Sequence, residues 1–170
     1  MSTLYLLIGG NQGNRQQILT QATDLIQKRI GSVVASSQIY ETAPWGTFDS
    51  PTTLPFLNQA LKVETALEPH ICLVQCLEIE QQLGRQRPNT PHCQERLYSS
   101  RPIDIDLILF DHEVIDLPDL ILPHPRMHLR RFVLTPLCDI APHYIHPVFD
   151  KTLSQLLHEC PDNSSCSVYC

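Results

Sequence analysis

A chain of 170 residues, 42% apolar and 18% charged, has room for one domain with a hydrophobic core. That balance excludes disordered, collagenous and coiled-coil classes, and no apolar run reaches the ~18–20 residues of a membrane span. A net charge of −6 argues against nucleic acid and acidic membranes as partners.

The opening residues, MSTLYLLIGG, lack the basic start and cleavage site of a signal peptide and read as a buried strand over 3–8. Gly9, Gly10 and Gly13 read as turn and helix-cap residues. From Asn14 the spacing of Ile18, Ala22, Leu25, Ile26 and Ile30 predicts a helix that stops at Gly31. A strand over 33–40 follows, then a loop rich in Pro, Thr and Gly over 42–55. Residues 56–65 alternate as a half-buried strand does. Pro69 opens a helix on which Ile71, Val74, Leu77 and Leu83 supply the apolar positions up to Gly84. Residues 85–101 carry two prolines and no apolar period, as a long functional loop does. Residues 102–110 make the clearest strand, joined through Asp111 and His112 into a hairpin with 113–116. A helix over 127–135 ending near Pro136 and a last helix over 151–159, capped by Asp150 or Thr152, complete the pattern.

With no repeat or linker, this predicts one domain over 1–160 and a frayed tail over 161–170. Its fold class is α+β, a ferredoxin-like sandwich whose mixed or mostly antiparallel sheet is flanked by helices. The seven cysteines, odd in number and without a C-x-x-C pair, read as reduced thiols of a cytoplasmic chain.

Two features carry chemistry. Within PIDIDLILF, Asp104 and Asp106 share one face of a strand, their carboxylates about 7 Å apart. They suit a hard cation such as Mg²⁺, which takes one or two carboxylates and completes its shell with water and phosphate. The alternative is a charge pair guarding an edge strand or bridging to Arg85 or Arg101. The second feature is arginine. Of 12 basic residues nine are Arg, and seven of these fall at Arg85, Arg87, Arg96, Arg101, Arg126, Arg130 and Arg131. Guanidinium groups bind phosphate in bidentate fashion, so this clustering favours metal-bound phosphate over the edge-guard alternative. Neither a P-loop nor a Rossmann fingerprint is present.

In order along the chain, IGGNQGNR (8–15), YETAPWG (40–46), FLNQA (56–60), IEQQLGRQR (79–87), RPIDIDLILF (101–110), LPHPRMHLRRFVLTPL (122–137) and IAP (140–142) resemble the 6-hydroxymethyl-7,8-dihydropterin pyrophosphokinases. The resemblance implies transfer of pyrophosphate from ATP to a pterin hydroxymethyl group with release of AMP, by a monomer acting on small molecules. It assigns two Mg²⁺ ions to Asp104 and Asp106, and catalytic contacts with the phosphates to Arg85 and Arg101. It places ATP contacts at Glu80, Arg87, Arg101, His124 and Arg130. The pterin would stack between Phe56 and Phe132, its edge read by Asn58 and Thr42 and by backbone near Ala43 and Trp45. Flat heteroaromatic rings favour offset stacking on Phe, and an amide matches a donor–acceptor edge. The chain departs from the family at Tyr98-Ser99-Ser100, where an aromatic-Gly-Pro is usual, at Leu77, Asp119 and Ile121 near the adenosine contacts, and at Phe56, where Tyr is common. A different two-metal transferase and a non-catalytic ligand-binding module remain as alternatives.

Overall fold

The first strand, β1 (Ser2–Gly10), is buried along nearly its whole length because it has neighbours on both sides and helices on both faces. The computed structural model describes residues 1–43, 54–84 and 102–170. Among these, β1 lies between β4 (Phe56–Thr65) and β5 (Asp104–Phe110), antiparallel to both. β2 (Ser32–Ser36) and β3 (Tyr40–Thr42) both pair with β4, and β8 (Cys166–Val168) pairs with β3. The six-stranded order is β5-β1-β4-β3-β8, with β2 beside β3 on β4. This is the α+β, antiparallel, helix-flanked architecture expected.

Helices α1 (Arg15–Arg29) and α2 (Pro69–Gln82) cover one face of the sheet. Leu4, Leu6 and Ile8 meet Leu19, Ala22, Ile26, Cys72, Cys76 and Ile79 there. On the other face α3 (Arg131–Ile140) and α4 (Leu153–Glu159) cover Tyr5, Leu7 and Ala60 with Val133, Leu134, Leu137 and Leu156. The two-residue alternation of β1 therefore feeds two separate cores. Asn14 caps α1 by accepting from the Gln17 N–H, and Thr152 caps α4 in a reciprocal box with Gln155. At Gly31 a Cβ would sit 2.1 Å from the Glu64 carbonyl oxygen, so only glycine lets the chain pass β4 as it leaves α1.

Several expectations are corrected. The strand predicted over 33–40 is two strands, because the buried Ser37 side chain takes the Ala60 N–H at 2.9 Å and interrupts the ladder. The core face of α2 is Cys72, Cys76 and Ile79, while Val74 is exposed; two of the cysteines are thus packing residues. Residues 113–116 form no hairpin with β5. The ladder closes where the Asp111 carboxylate accepts the Thr3 N–H at 2.7 Å, and the chain then pairs β6 (Ile115–Leu117) with β7 (Leu120–Leu122). The helix expected over 127–135 is a 3-10 turn (Met127–Leu129) followed by α3, which runs through Pro136. Proline forfeits one helical hydrogen bond, which the burial of Val133, Leu134 and Leu137 offsets. Residues 161–170, expected to fray, contribute β8.

His146 is a buried histidine on the segment between α3 and α4. Its buried ring stacks on Phe149 at 4.5 Å, and Nδ1 accepts the N–H groups of Val148 and Phe149, each at 3.2 Å. Burial, with His128 nearby, lowers its pKa to about 4. An unfolded histidine titrates near ~6.5, so this contribution is intact above that pH and is lost as pH falls toward 4. Urea unfolding at pH 7 and pH 4.5 should show wild type losing on the order of 1–3 kcal/mol that His146→Asn does not lose. An equal loss in both chains would remove His146 as the cause.

Candidate active site

Asp104, Gly9 and Asn58 stand side by side across β5, β1 and β4, since Gly9 is the register partner of both. Asp106 lies opposite Leu7 on the same face, the one α3 covers. Gly9 is a strand residue and not the turn expected from sequence, and the reason is steric. A Cβ there would lie 2.5 Å from Asn58 Oδ1 and 2.8 Å from the Leu57 carbonyl oxygen. The amide of Asn58 occupies the space a side chain would fill, and its Nδ2 donates to Thr42 Oγ1 at 2.8 Å. Both Asn58 and Thr42 are buried, so the hydrogen bond fixes the orientation of a polar pair at the base of the site.

The face carrying the aspartates ends at a bulge. Leu6 pairs with Leu107 and Tyr5 with Leu109, which leaves Ile108 as the extra residue. Ile108 and Leu109 both join the α3-side core, and Phe110 returns to the α1–α2 side, so the two-residue alternation of faces breaks at the bulge. The half-buried Asp104 and Asp106 precede the bulge and stay together.

Glu80 reaches this strand from α2. It is 2% exposed, and its Oε1 accepts the Ile105 N–H, the amide between the two aspartates, at 3.3 Å. Among the described residues β5 is the last strand of the sheet, and this N–H points away from β1 and takes a side-chain acceptor. Glu80 thus braces the backbone that carries Asp104 and Asp106.

His124 enters from the segment after β7, held by its N–H to the Ile108 carbonyl oxygen at 2.9 Å. Its Nδ1 accepts from the Arg126 N–H at 3.2 Å, which puts the ring proton on Nε2. Burial, reinforced by Arg130 and opposed by Asp104, lowers its pKa to about 4, so the ring is neutral at physiological pH. Arg130 immediately precedes α3, with its guanidinium 5.6 Å from the centre of the Phe132 ring. Phe56 follows the alternation of Asn58 and Ala60 onto the face α3 covers, and Phe132 packs there from α3. Ala43 is exposed just beyond β3. The structure therefore brings Asp104, Asp106, Asn58, Thr42, Phe56, His124, Arg130 and Phe132 to one end of the sheet, while Glu80 reaches it around the edge. Trp45, Arg85, Arg87 and Arg101 lie outside the described residues.

A family model described as 7,8-dihydro-6-hydroxymethylpterin-pyrophosphokinase (HPPK) matches residues 5–142. The chain belongs to this family. It is a pyrophosphokinase, a diphosphotransferase. Among its relatives is the 2-amino-4-hydroxy-6-hydroxymethyldihydropteridine pyrophosphokinase of Porphyromonas gingivalis, 40% identical over 148 residues, 86% of this chain and 95% of the relative. The Bacillus subtilis protein of that name is 39% identical over 138 residues, 81% of this chain and 77% of the relative. In fold it is similar to the Plasmodium falciparum HPPK-DHPS crystallised with pteroate, with a TM-score of 0.74 at 18% identity. That match covers 93% of this chain and 44% of the longer one.

Three supporting residues of the enzyme escape a reading by residue type. Gly9 makes room for Asn58, as above. Asn11 is buried and donates from Nδ2 to the Leu54 carbonyl oxygen at 3.1 Å. Arg15 donates from one guanidinium nitrogen to Glu41 at 3.0 Å and to the Pro55 carbonyl oxygen at 2.8 Å, tying β3 to the residue before Phe56. All three sit in the string IGGNQGNR, the one sequence signal that could have singled them out.

The Gly9→Ala variant should lose about 1–3 kcal/mol of stability by chemical denaturation, with the Asn58 side-chain amide resonances displaced. An alanine variant of wild-type stability with Asn58 unmoved would refute the steric account.

Proposed function

We propose that this pyrophosphokinase transfers the β,γ-pyrophosphate of ATP to the hydroxymethyl oxygen of 6-hydroxymethyl-7,8-dihydropterin, releasing AMP in folate biosynthesis. The family and its relatives support the reaction. The observation that carries the assignment of residues is the row of Asp104, Gly9 and Asn58, which sets a carboxylate pair beside an amide that can read a heterocycle.

The fit to magnesium rests on the donor set. Among the described residues no group of three or more His, Cys, Asp and Glu could hold a metal ion, so these residues offer no closed cage. Two half-buried carboxylates on one face suit a hard cation that keeps positions for phosphate and water. In the proposed scheme Asp104 and Asp106 hold two Mg²⁺ ions, which supply charge neutralisation to the triphosphate when bound.

The remaining work falls to side chains. Neutral His124 donates from Nε2 to a phosphate oxygen, and Arg130 adds a permanent positive charge beside it. Arg85, Arg87 and Arg101 contact the phosphates from the 85–101 segment. Phe56 and Phe132 hold the pterin ring flat, while Asn58, oriented by Thr42, and the backbone near Ala43 and Trp45 read its edge. Glu80 holds the aspartate-bearing strand in place beside ATP. Positioned in this way, the hydroxymethyl oxygen attacks the β-phosphorus as the bond from that phosphorus to the α,β-bridging oxygen breaks. AMP leaves with that oxygen, and the hydroxyl proton passes to solvent.

Incubation with ATP, Mg²⁺ and hydroxymethyl-dihydropterin should yield AMP, whereas ADP would indicate a simple kinase and free pyrophosphate a nucleotidyl transferase. Asp104→Ala and Asp106→Ala should each lower turnover at least about 10³-fold while leaving the unfolding midpoint near wild type. Near-normal turnover in either variant would overturn the metal assignment.

A further inference from the structure

The residues beyond α4 touch both walls of the site. On one wall, β8 pairs with β3 so that Cys166 lies opposite Thr42, Ser167 opposite Glu41 and Val168 opposite Tyr40. The Tyr169 N–H extends the ladder to the Ile39 carbonyl oxygen at 2.8 Å. On the other wall, Asp162 Oδ2 accepts the N–H of Arg131, the first residue of α3, at 3.0 Å. Arg130, at the cap position itself, makes no side-chain capping bond, so the carboxylate of Asp162 serves the helix start from 31 residues away. Burial alone would raise the Asp162 carboxyl, but the Ser164 hydroxyl and N–H and the Arg131 N–H bring it below the ordinary carboxylate value.

A third contact fastens the tail to the first wall. The Arg15 guanidinium that holds Glu41 and the Pro55 carbonyl oxygen lies 5.5 Å from the centre of the Tyr169 ring. Elsewhere β3 and α3 are tied at the far end of the helix, where the Tyr40 hydroxyl donates to the Asp139 carboxylate at 2.8–2.9 Å. The near end, with Arg130 and Phe132, has Asp162 as its cap. All of these tail residues lie beyond the 5–142 that match the family model.

We infer that residues 162–169 act as a clamp, with Asp162 as a positioning residue, which holds the α3 wall carrying Phe132 at a fixed distance from the β3–β4 wall carrying Thr42, Asn58 and Phe56 and so sets affinity for the pterin. The inference rests on reading those four residues as the pterin pocket. The helix start that Asp162 caps adjoins Arg130 as well as Phe132, so the clamp acts chiefly on the heterocycle, which both walls hold, and to a lesser degree on the phosphates beside Arg130.

The test uses the full chain in four forms: wild type, Asp162→Ala, Asp162→Asn and Ser167→Pro. Asparagine keeps an oxygen for the Arg131 N–H and alanine does not. Ser167, two residues before Tyr169, turns its N–H the same way, and proline removes it. Asp162→Ala and Ser167→Pro should each raise KM for hydroxymethyl-dihydropterin about fivefold or more, and by a larger factor than KM for ATP, with Asp162→Asn near wild type. Unchanged pterin KM in both disruptive variants, or an equal rise for both substrates, would overturn the clamp. A wild-type chain that does not bind the pterin would sink the pocket reading instead. Amide hydrogen exchange then decides the clamp alone. Ser167→Pro should speed exchange at 131–134, and Asp162→Ala should speed it at 40–42. Loosening confined to each variant's own wall would refute the coupling.

Discussion

One missing side chain organises the site. The central strand has neighbours on both sides, so whatever stands at Gly9 must fit between Asp104 and Asn58. Any Cβ there would drive Asn58 out of the space it fills, and with it the hydrogen bond to Thr42. The carboxylates come from β5, the amide from β4 and the hydroxyl from β3, yet their spacing is set by a ladder register that all of these strands share. In such a ladder a slip of one residue would send every side chain to the opposite face. The buried alternation of β1, feeding one core with Leu4, Leu6 and Ile8 and another with Tyr5 and Leu7, is what forbids the slip. Packing far from the chemistry therefore sets its geometry.

The electrostatics are equally local. The chain carries −6 overall, but the described part of the site sets two carboxylates beside Arg130 and a histidine kept neutral by burial and by its cationic neighbours. Net charge describes long-range attraction and solubility, whereas a bound triphosphate is governed by groups within a few ångströms. A neutral His124 also offers a hydrogen bond without adding like charge next to Arg130.

What could be read from the sequence follows the strength of its periodic signals. β4 occupies the predicted 56–65, and α2 begins at the predicted Pro69, because a two-residue alternation and a proline at a helix start have unambiguous local meanings. The inward face of α2 was not legible: Ile71, Val74 and Leu77 compete with Cys72, Cys76 and Ile79, and a helix apolar on several sides does not declare which side is covered. The bulge at Ile108 was hidden for a similar reason, since a run of consecutive apolar residues tolerates a change of face without a change of composition. β8 escaped because a short, polar strand has no periodic signal and exists only through its partner β3. The paired aspartates were legible as a strand-face pair from their spacing. The residues that hold them, Gly9 and Glu80, act through tertiary neighbours that no local pattern specifies.

The carboxylate of Glu80 on the outer side of β5 also bears on assembly. An outermost strand offers unpaired backbone groups to any passing strand, in its own chain or another. Here one of those groups is already taken by a side chain that is itself buried, so an incoming strand would have to expel the Glu80 side chain to bond Ile105. At Ile105 the aspartate-bearing margin therefore does not offer its N–H to strand addition. The brace that steadies the aspartates thus also occupies a backbone group of the kind through which sheets grow from one molecule to the next.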